Sequence, residues 1–288
     1  MKRKTKIILT ILSAAILLNI VLNAFGNALI TEHYTVNSDK LTAPVRIVFI
    51  TDLHNCTYGG ADQSGILTAI HTEHPDIVLF GGDMIDMMGG TDSALTLMKA
   101  VRNEYPCAYS AGNHEVVRKD YKTFFSAVSS LGIPVLQGSY TDIEVNSQQI
   151  RVAGIIDVHN SPDLFTDCCK SAGPEKYNVL LVHQPEQLDA VIDECAAQNT
   201  RFDLVLSGHA HGGPWRIPGL ADQGLFAPDQ GIFPAFTGGQ REQDGTVQIV
   251  SRGLAKPLRM ILIPRIFNRP EISSAEIVPA VSGDTPQQ

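Results

Sequence analysis

From Val45 onward, short apolar runs alternate with helical stretches, and nearly every run ends in an Asp, His or Asn. The run at 45–50 leads into Asp52-Leu53-His54 and that at 76–80 into Gly82-Asp83. The run at 107–110 leads into Gly112-Asn113-His114-Glu115, that at 178–182 into His183, and that at 203–206 into Gly208-His209-Ala210-His211-Gly212-Gly213. Helical patterns at 65–71, 92–102, 121–131 and 186–197 separate them, which predicts βα repetition. Strands this apolar are expected to be covered on both faces by helices, with ligands on loops at their carboxyl ends, where helix amino-termini converge. The middle suggests a hairpin of 142–146 with 150–156. Residues 224–239, rich in Gly, Pro and Phe, read as an ordered loop before a strand at 246–251, and 273–288 as a frayed tail.

The first thirty residues are of another kind. Lys2, Arg3, Lys4 and Lys6 precede an uncharged run over residues 7–30. At 1.5 Å per residue a helix of that length spans about 36 Å, enough for a hydrocarbon core of about 30 Å. The basic cluster ahead of the run places the amino-terminus in the cytoplasm and the remainder across the membrane. The expected product is a single-pass cell-membrane protein with its catalytic domain on the extracytoplasmic side. A cleaved signal peptide is the rival, with Ala24-Phe25-Gly26 as a small-x-small site, although the apolar run is longer than such leaders need. The chain then divides into an anchor at 1–30, a polar tether at 31–44, a catalytic domain at 45–272 and a flexible tail at 273–288.

The whole chain carries 22 Lys and Arg against 30 Asp and Glu. Without the four basic residues of the leader the balance is 18 to 30, a formal charge of −12. Such a surface does not suit a nucleic-acid polymer, which is bound by basic stripes that displace counterions. The five cysteines include the adjacent pair Cys168-Cys169 but no CxxC pair, so neither a zinc ribbon nor a disulfide framework is indicated.

Five of the nine histidines fall in the motifs at the strand ends. Asp52 and His54, two apart on a strand exit, can aim at one cation if the backbone leaves the pleat there. The Asp83 carboxylate can bridge two cations, and Gly81-Gly82 leave room beside it. Asn113 adds a neutral amide oxygen, and His183, His209 and His211 add imidazoles. Mixed N and O donors without thiolate suit two divalent ions such as Mn, Fe, Zn or Ni. A lone Asp-x-His is common and a lone His is more often a packed core residue. Five such motifs in this order make a metal site the better reading.

These motifs resemble those of the calcineurin-like metallophosphoesterases, whose pattern of Asp-x-His, Gly-Asp, Gly-Asn-His-Glu, a later His and Gly-His-x-His runs through this chain. The resemblance extends to a membrane-anchored bacterial branch through Ile217-Pro218-Gly219, Ala227-Pro228-Asp229-Gln230-Gly231, Ser251-Arg252-Gly253-Leu254 and Asn268-Arg269-Pro270-Glu271-Ile272. It implies an α/β fold built as a β-sheet sandwich of βαβ units flanked by helices. It also implies one metal on Asp52, His54, Asp83 and His211 and a second on Asp83, Asn113, His183 and His209. His114 would be the catalytic group facing the substrate, and Glu115 would be structural. The chemistry implied is hydrolysis of phosphodiesters or phosphomonoesters by metal-activated hydroxide, on substrates that include lipid or nucleotide-lipid head groups. Pro214-Trp215 departs from the branch and sets the only tryptophan beside the metal loop, where it is a candidate substrate contact. The competing readings are a non-catalytic metal-binding scaffold of the same fold and a nuclease or nucleotidase.

Overall fold

The computed structural model describes residues 3–159, 161–256 and 264–280. In chain order it comprises α1 (Arg3–Ala24), β1 (Ile30–Ser38), β2 (Val45–Ile50), α2 (Ser64–Glu73), β3 (Ile77–Phe80), α3 (Asp92–Arg102), β4 (Cys107–Ser110), α4 (Asn113–Val116) and α5 (Tyr121–Ser130). Then follow β5 (Val135–Leu136), β6 (Ser139–Val145), β7 (Gln148–Ile155), α6 (Pro162–Lys170), β8 (Tyr177–Val182), α7 (Leu188–Ala197) and β9 (Leu204–Ser207). The last elements are β10 (Phe226–Ala227), β11 (Gly231–Ile232), β12 (Gly239–Gln243), β13 (Thr246–Val250) and β14 (Glu271–Pro279).

Two six-stranded sheets result, in the orders β1-β14-β2-β3-β4-β5 and β12-β13-β9-β8-β7-β6. They face each other, and the alternation of side chains along each strand divides the core. Ile47 and Phe49 of β2 point at the opposite sheet and share a buried cluster with Val179 and Leu181 of β8 and Leu204 and Leu206 of β9. Val48 and Ile50 point the other way, onto Ile66 and Ile70 of α2 and Leu97 and Met98 of α3. On the far side, Leu180, Val182 and Val205 pack with Phe165 of α6 and Val191 of α7. Each fully buried Leu, Ile or Phe contributes about 1.5–3 kcal/mol, so these layers hold the sheets in register. The structure is therefore the sandwich implied by the resemblance. The expectation that helices cover both faces of each strand holds only for the outer faces, because an apolar run states that a face is buried and not what buries it.

Two boundaries are corrected. Residues 31–44 are not a free tether, because β1 pairs in parallel with β14 from Ile30 opposite Glu271 to Ser38 opposite Pro279. By the same pairing the domain runs past 272, since β14 also pairs with β2 and buries Ser273 and Ser274. The rest of the expected tail, residues 281–288, lies outside the described residues.

α1 is long and apolar enough to cross a membrane, by length and composition. Its residues 6–23 are exposed, but its end is held: the Ala24 carbonyl accepts the Phe267 N–H at 2.8 Å, and Arg269 Nε donates to the Ala28 carbonyl at 2.9 Å.

Candidate metal centre

Five of the seven expected ligands have a left-handed backbone: Asp52, His54, Asp83, His209 and His211, with φ of 54°, 46°, 49°, 63° and 48°. Non-glycine residues adopt this conformation in only a few per cent of cases, at a cost of about 1–3 kcal/mol each. The turn it imposes takes the chain out of the pleat at the ends of β2, β3 and β9, so that residues two apart converge on one point. Two glycines complete the approach. A Cβ on Gly112 would overlap Asp83 Oδ1, and one on Gly208 would overlap Asp52 Oδ2.

The result is a buried nest of carboxylates and imidazoles. Asp52, His54 and His211 form one group able to hold a cation, and Asp83, His183 and His209 form another. Asp83 Oδ2 lies 3.5 Å from His54 Nε2 and 3.2 Å from His183 Nε2, and so reaches both groups. Asp52 Oδ1 is 3.9 Å from His54 Nε2, 3.8 Å from His183 Nε2 and 3.9 Å from His211 Nδ1. Five buried donor atoms here have no hydrogen-bond partner: both ring nitrogens of His54, His183 Nε2, His211 Nδ1 and Asn113 Oδ1. An unsatisfied buried polar atom costs about 1–3 kcal/mol, and a cation in each group would satisfy those that face it, one nitrogen per imidazole.

Neighbouring groups fix the orientation of the imidazoles. His183 Nδ1–H donates to the Gly81 carbonyl at 2.7 Å, which leaves Nε2 with its lone pair. His209 Nε2–H donates to Asp229 Oδ2 at 2.8 Å, which leaves Nδ1. Asn268 Nδ2 donates to the His211 carbonyl at 2.7 Å and anchors that loop. Asp52 Oδ1 accepts the His209 N–H at 3.1 Å, and Asp83 Oδ1 accepts the His114 N–H at 2.8 Å. Burial opposes ionisation of Asp83, yet His183, His54 and His114 hold its carboxyl well below the usual range. Burial likewise opposes charge on His183, but Asp83 beside it raises its pKa to about 10. Burial, with His54 and Arg265 nearby, depresses His211 well below the ordinary imidazole value. Those values describe imidazoles and carboxylates facing one another; a cation between them would replace the protons.

His114 is placed differently. Its side chain is partly open to solvent, its Nε2 is 3.9 Å from Asp83 Oδ2, and its Nδ1–H donates to Asp86 Oδ1 at 3.0 Å. Asp86 stays ionised, with a pKa of about 2: its burial is outweighed by His54 and His114. Glu115 is fully buried and accepts the N–H groups of Asp83, Met84, Ile85 and Gly112, at 2.9, 2.7, 3.2 and 2.9 Å. Beside Asn113 a cleft of about 390 Å³ is walled by Val116, Val117, Ile155, Leu164 and Gln184, with no Lys or Arg among its described lining residues.

The sequence reading missed Asp86 and Asp229 as second partners of the histidines. Asp86 lies three residues beyond Asp83, and Asp229 belongs to Ala227-Pro228-Asp229-Gln230-Gly231, a motif whose resemblance assigns it no role. The flanking motifs prove to be scaffolding: Arg252 Nε meets Glu271 Oε2 at 3.0 Å, and buried Arg265 donates to the Ala255 and Arg252 carbonyls at 2.8 Å each. Trp215 lies apart from the nest, lining an apolar recess with Leu225, Phe226, Ile232 and Phe233.

N and O donors without thiolate, held on strained loops over a β-sandwich, define the class of metal-dependent hydrolases. The chain belongs to the calcineurin-like phosphoesterases, whose family model matches residues 45–213, more than half of it. It is 28% identical over 233 residues to a Bacillus subtilis protein, YpbG, covering 79% of this chain and 83% of that one. It is also 28% identical to the Escherichia coli phosphodiesterase YaeI, over 65% of this chain and 67% of that one. To a zebrafish transmembrane protein with a metallophosphoesterase domain it is 27% identical, over 59% of this chain and 40% of that one. The chain is thus a metal-dependent phosphoric ester hydrolase of a family that works with two divalent ions, and its nest of donors fits them.

Proposed function

We propose that this chain is a membrane-anchored phosphoesterase that holds one cation on Asp52, His54, Asp83 and His211 and a second on Asp83, Asn113, His183 and His209. The observation that carries the reading is the set of buried, unpartnered donor atoms on these residues, with Asp83 Oδ2 between the two groups. When bound, two divalent ions neutralise phosphoryl oxygens and lower the pKa of water toward neutrality. Asp83, within reach of both groups, would serve both ions. Asp229 and the Gly81 carbonyl keep His209 and His183 in the tautomers that donate lone pairs. Asp86 accepts from His114 Nδ1–H, and in the imidazolium form the Nε2–H would donate to the phosphoryl oxygens and pass its proton to the leaving oxygen, leaving a neutral ring.

The cleft beside Asn113 takes the rest of the substrate, and the lack of Lys and Arg among its described walls favours an apolar or uncharged leaving group over a polyanionic one. That preference and α1 together point to esters at a membrane surface, such as lipid or nucleotide-lipid head groups, and away from nucleic-acid polymers. The full chain, purified in detergent, should contain two metal equivalents and hydrolyse bis(p-nitrophenyl) phosphate in the presence of Mn. Comparison with p-nitrophenyl phosphate ranks diester against monoester. Well-folded protein without metal would sink this reading.

Lys2, Arg3, Lys4 and Lys6 at the amino-terminal end of the apolar run favour a domain that lies outside the cytoplasm. Protease added to intact cells should then degrade the domain, whereas a domain protected until the cells are broken would reverse the orientation.

A further inference from the structure

Residues 213–236 form a small lobe between the metal loop and β12. It contains the hairpin of β10 and β11 and a tight turn closed by a bridge between Ile217 and Ala221. The lobe exposes its apolar side chains: Leu220 is 81% accessible, and Ile232 and Phe233 are 74% each. Trp215, Leu225, Phe226, Ile232 and Phe233 line one apolar recess, and Ile217 and Leu220 are exposed on the turn that follows Trp215. Phe233 has a left-handed backbone, φ 55°, an unfavourable conformation for a bulky residue that here leaves its ring in solvent. The lobe contains no lysine, and its three charged residues are all engaged. Arg216 donates to the Gly212 carbonyl, Asp222 accepts the Gly219 N–H at 2.8 Å, and Asp229 accepts from His209. A contiguous apolar surface of this kind marks an interaction site.

The same structure shows what lies next to it. Trp215 forms a parallel bridge with Ile266, Ile266 N–H donates to the Pro214 carbonyl at 2.9 Å, and the next residue, Phe267, hydrogen-bonds Ala24 at the end of α1. The lobe is therefore stitched to the point where the apolar helix meets the domain. Only residues 25–29 separate α1 from β1, and the carbonyls of Ala24 and Ala28 on either end of that stretch are bonded to Phe267 and Arg269 of the domain.

We propose that the 213–236 lobe docks into the lipid surface of the membrane that α1 crosses, with Trp215, Leu220, Ile232 and Phe233 entering the headgroup region. The inference rests on the anchor reading of α1. Trp and Phe suit this position because an aromatic body buries among acyl chains near the headgroups while polar atoms stay wet. Insertion of about 5–10 Å is enough to bury such side chains. Since Asp229 of the same lobe holds His209, docking sets the metal centre against the headgroups and reaches it through one hydrogen bond.

The chain's single tryptophan makes this directly measurable. Full-length protein is reconstituted into vesicles of phosphatidylcholine and phosphatidylglycerol, and Trp215 emission is quenched either by lipids brominated near the glycerol end of the acyl chain or by aqueous iodide. Docking predicts blue-shifted emission, strong quenching by the lipid bromines and weak quenching by iodide. In the double variant Ile232→Glu, Phe233→Glu, whose sites are exposed, lipid quenching should fall about twofold or more. Protein that resists carbonate extraction but shows iodide quenching and no lipid quenching overturns the inference while leaving the anchor intact. So does emission shielded from both quenchers, which would mean that a second copy or another protein covers the lobe. Protein released by carbonate defeats the anchor reading, and the docking inference with it.

Discussion

Replacing Asp83 by Asn is expected to lower phosphodiester hydrolysis by about a thousandfold or more and to leave the purified protein short of two metal equivalents. Among the described residues, Asp83 is the one carboxylate within 3.5 Å of imidazoles from both groups, His54 on one side and His183 on the other. An amide removes its charge and turns an N–H2 toward at least one of the positions where a cation belongs. The backbone should survive, because Asn also tolerates the left-handed conformation found here. His114→Ala provides the contrast. Its ring bonds Asp86 and is partly open to solvent, so turnover should fall about a hundredfold or more while two metals stay bound. Metal analysis alongside turnover separates the two roles, and near-normal turnover in either variant contradicts the assignment.

Glu115→Ala is expected to cost about 4 kcal/mol of stability and to lower the unfolding midpoint by about 10 °C. The carboxylate collects four buried N–H groups from the Asp83 loop and Gly112, and the alanine variant leaves all four without an acceptor. Burial and the Asp83 charge push its pKa up to about 7, against the pull of those donors. The position thus holds a strained but fully bonded carboxylate rather than a free base. Thermal unfolding in a chelating buffer isolates this contribution from metal binding. A midpoint within about 2 °C of the parent would show that Glu115 does not brace the loops.

The convergence of the candidate metal ligands was more legible in the sequence than the frame around them. Asp52, His54, Asp83, Asn113, His183, His209 and His211 each follow a strand whose apolar run is visible locally, and the two-residue spacings announced a departure from the pleat. Asp86 and Asp229 escaped because a carboxylate that bonds an imidazole has no local signature: Asp229 is 20 positions from His209. β1 and β14 escaped for a related reason. Their sequences, ITEHYTVNS and EISSAEIVP, are polar or small at many positions, and each finds its partner only across the length of the domain. Trp215 drew attention as a neighbour of the metal loop in sequence, yet its side chain joins the apolar recess of the lobe.

The pairing of β1 with β14 also bears on how the leader can be processed. β1 caps one border of its sheet, and a cut within Ile30–Ser38 would strip β14 of its partner and expose an unpaired row of N–H and C=O groups flanked by Ile272, Ala275 and Ile277. Such a border recruits other chains. Scission at Ala24-Phe25-Gly26 falls before the first paired residue and would leave the sheet closed. Maturation by a peptidase and an intact sheet are thus compatible only for cuts before Ile30.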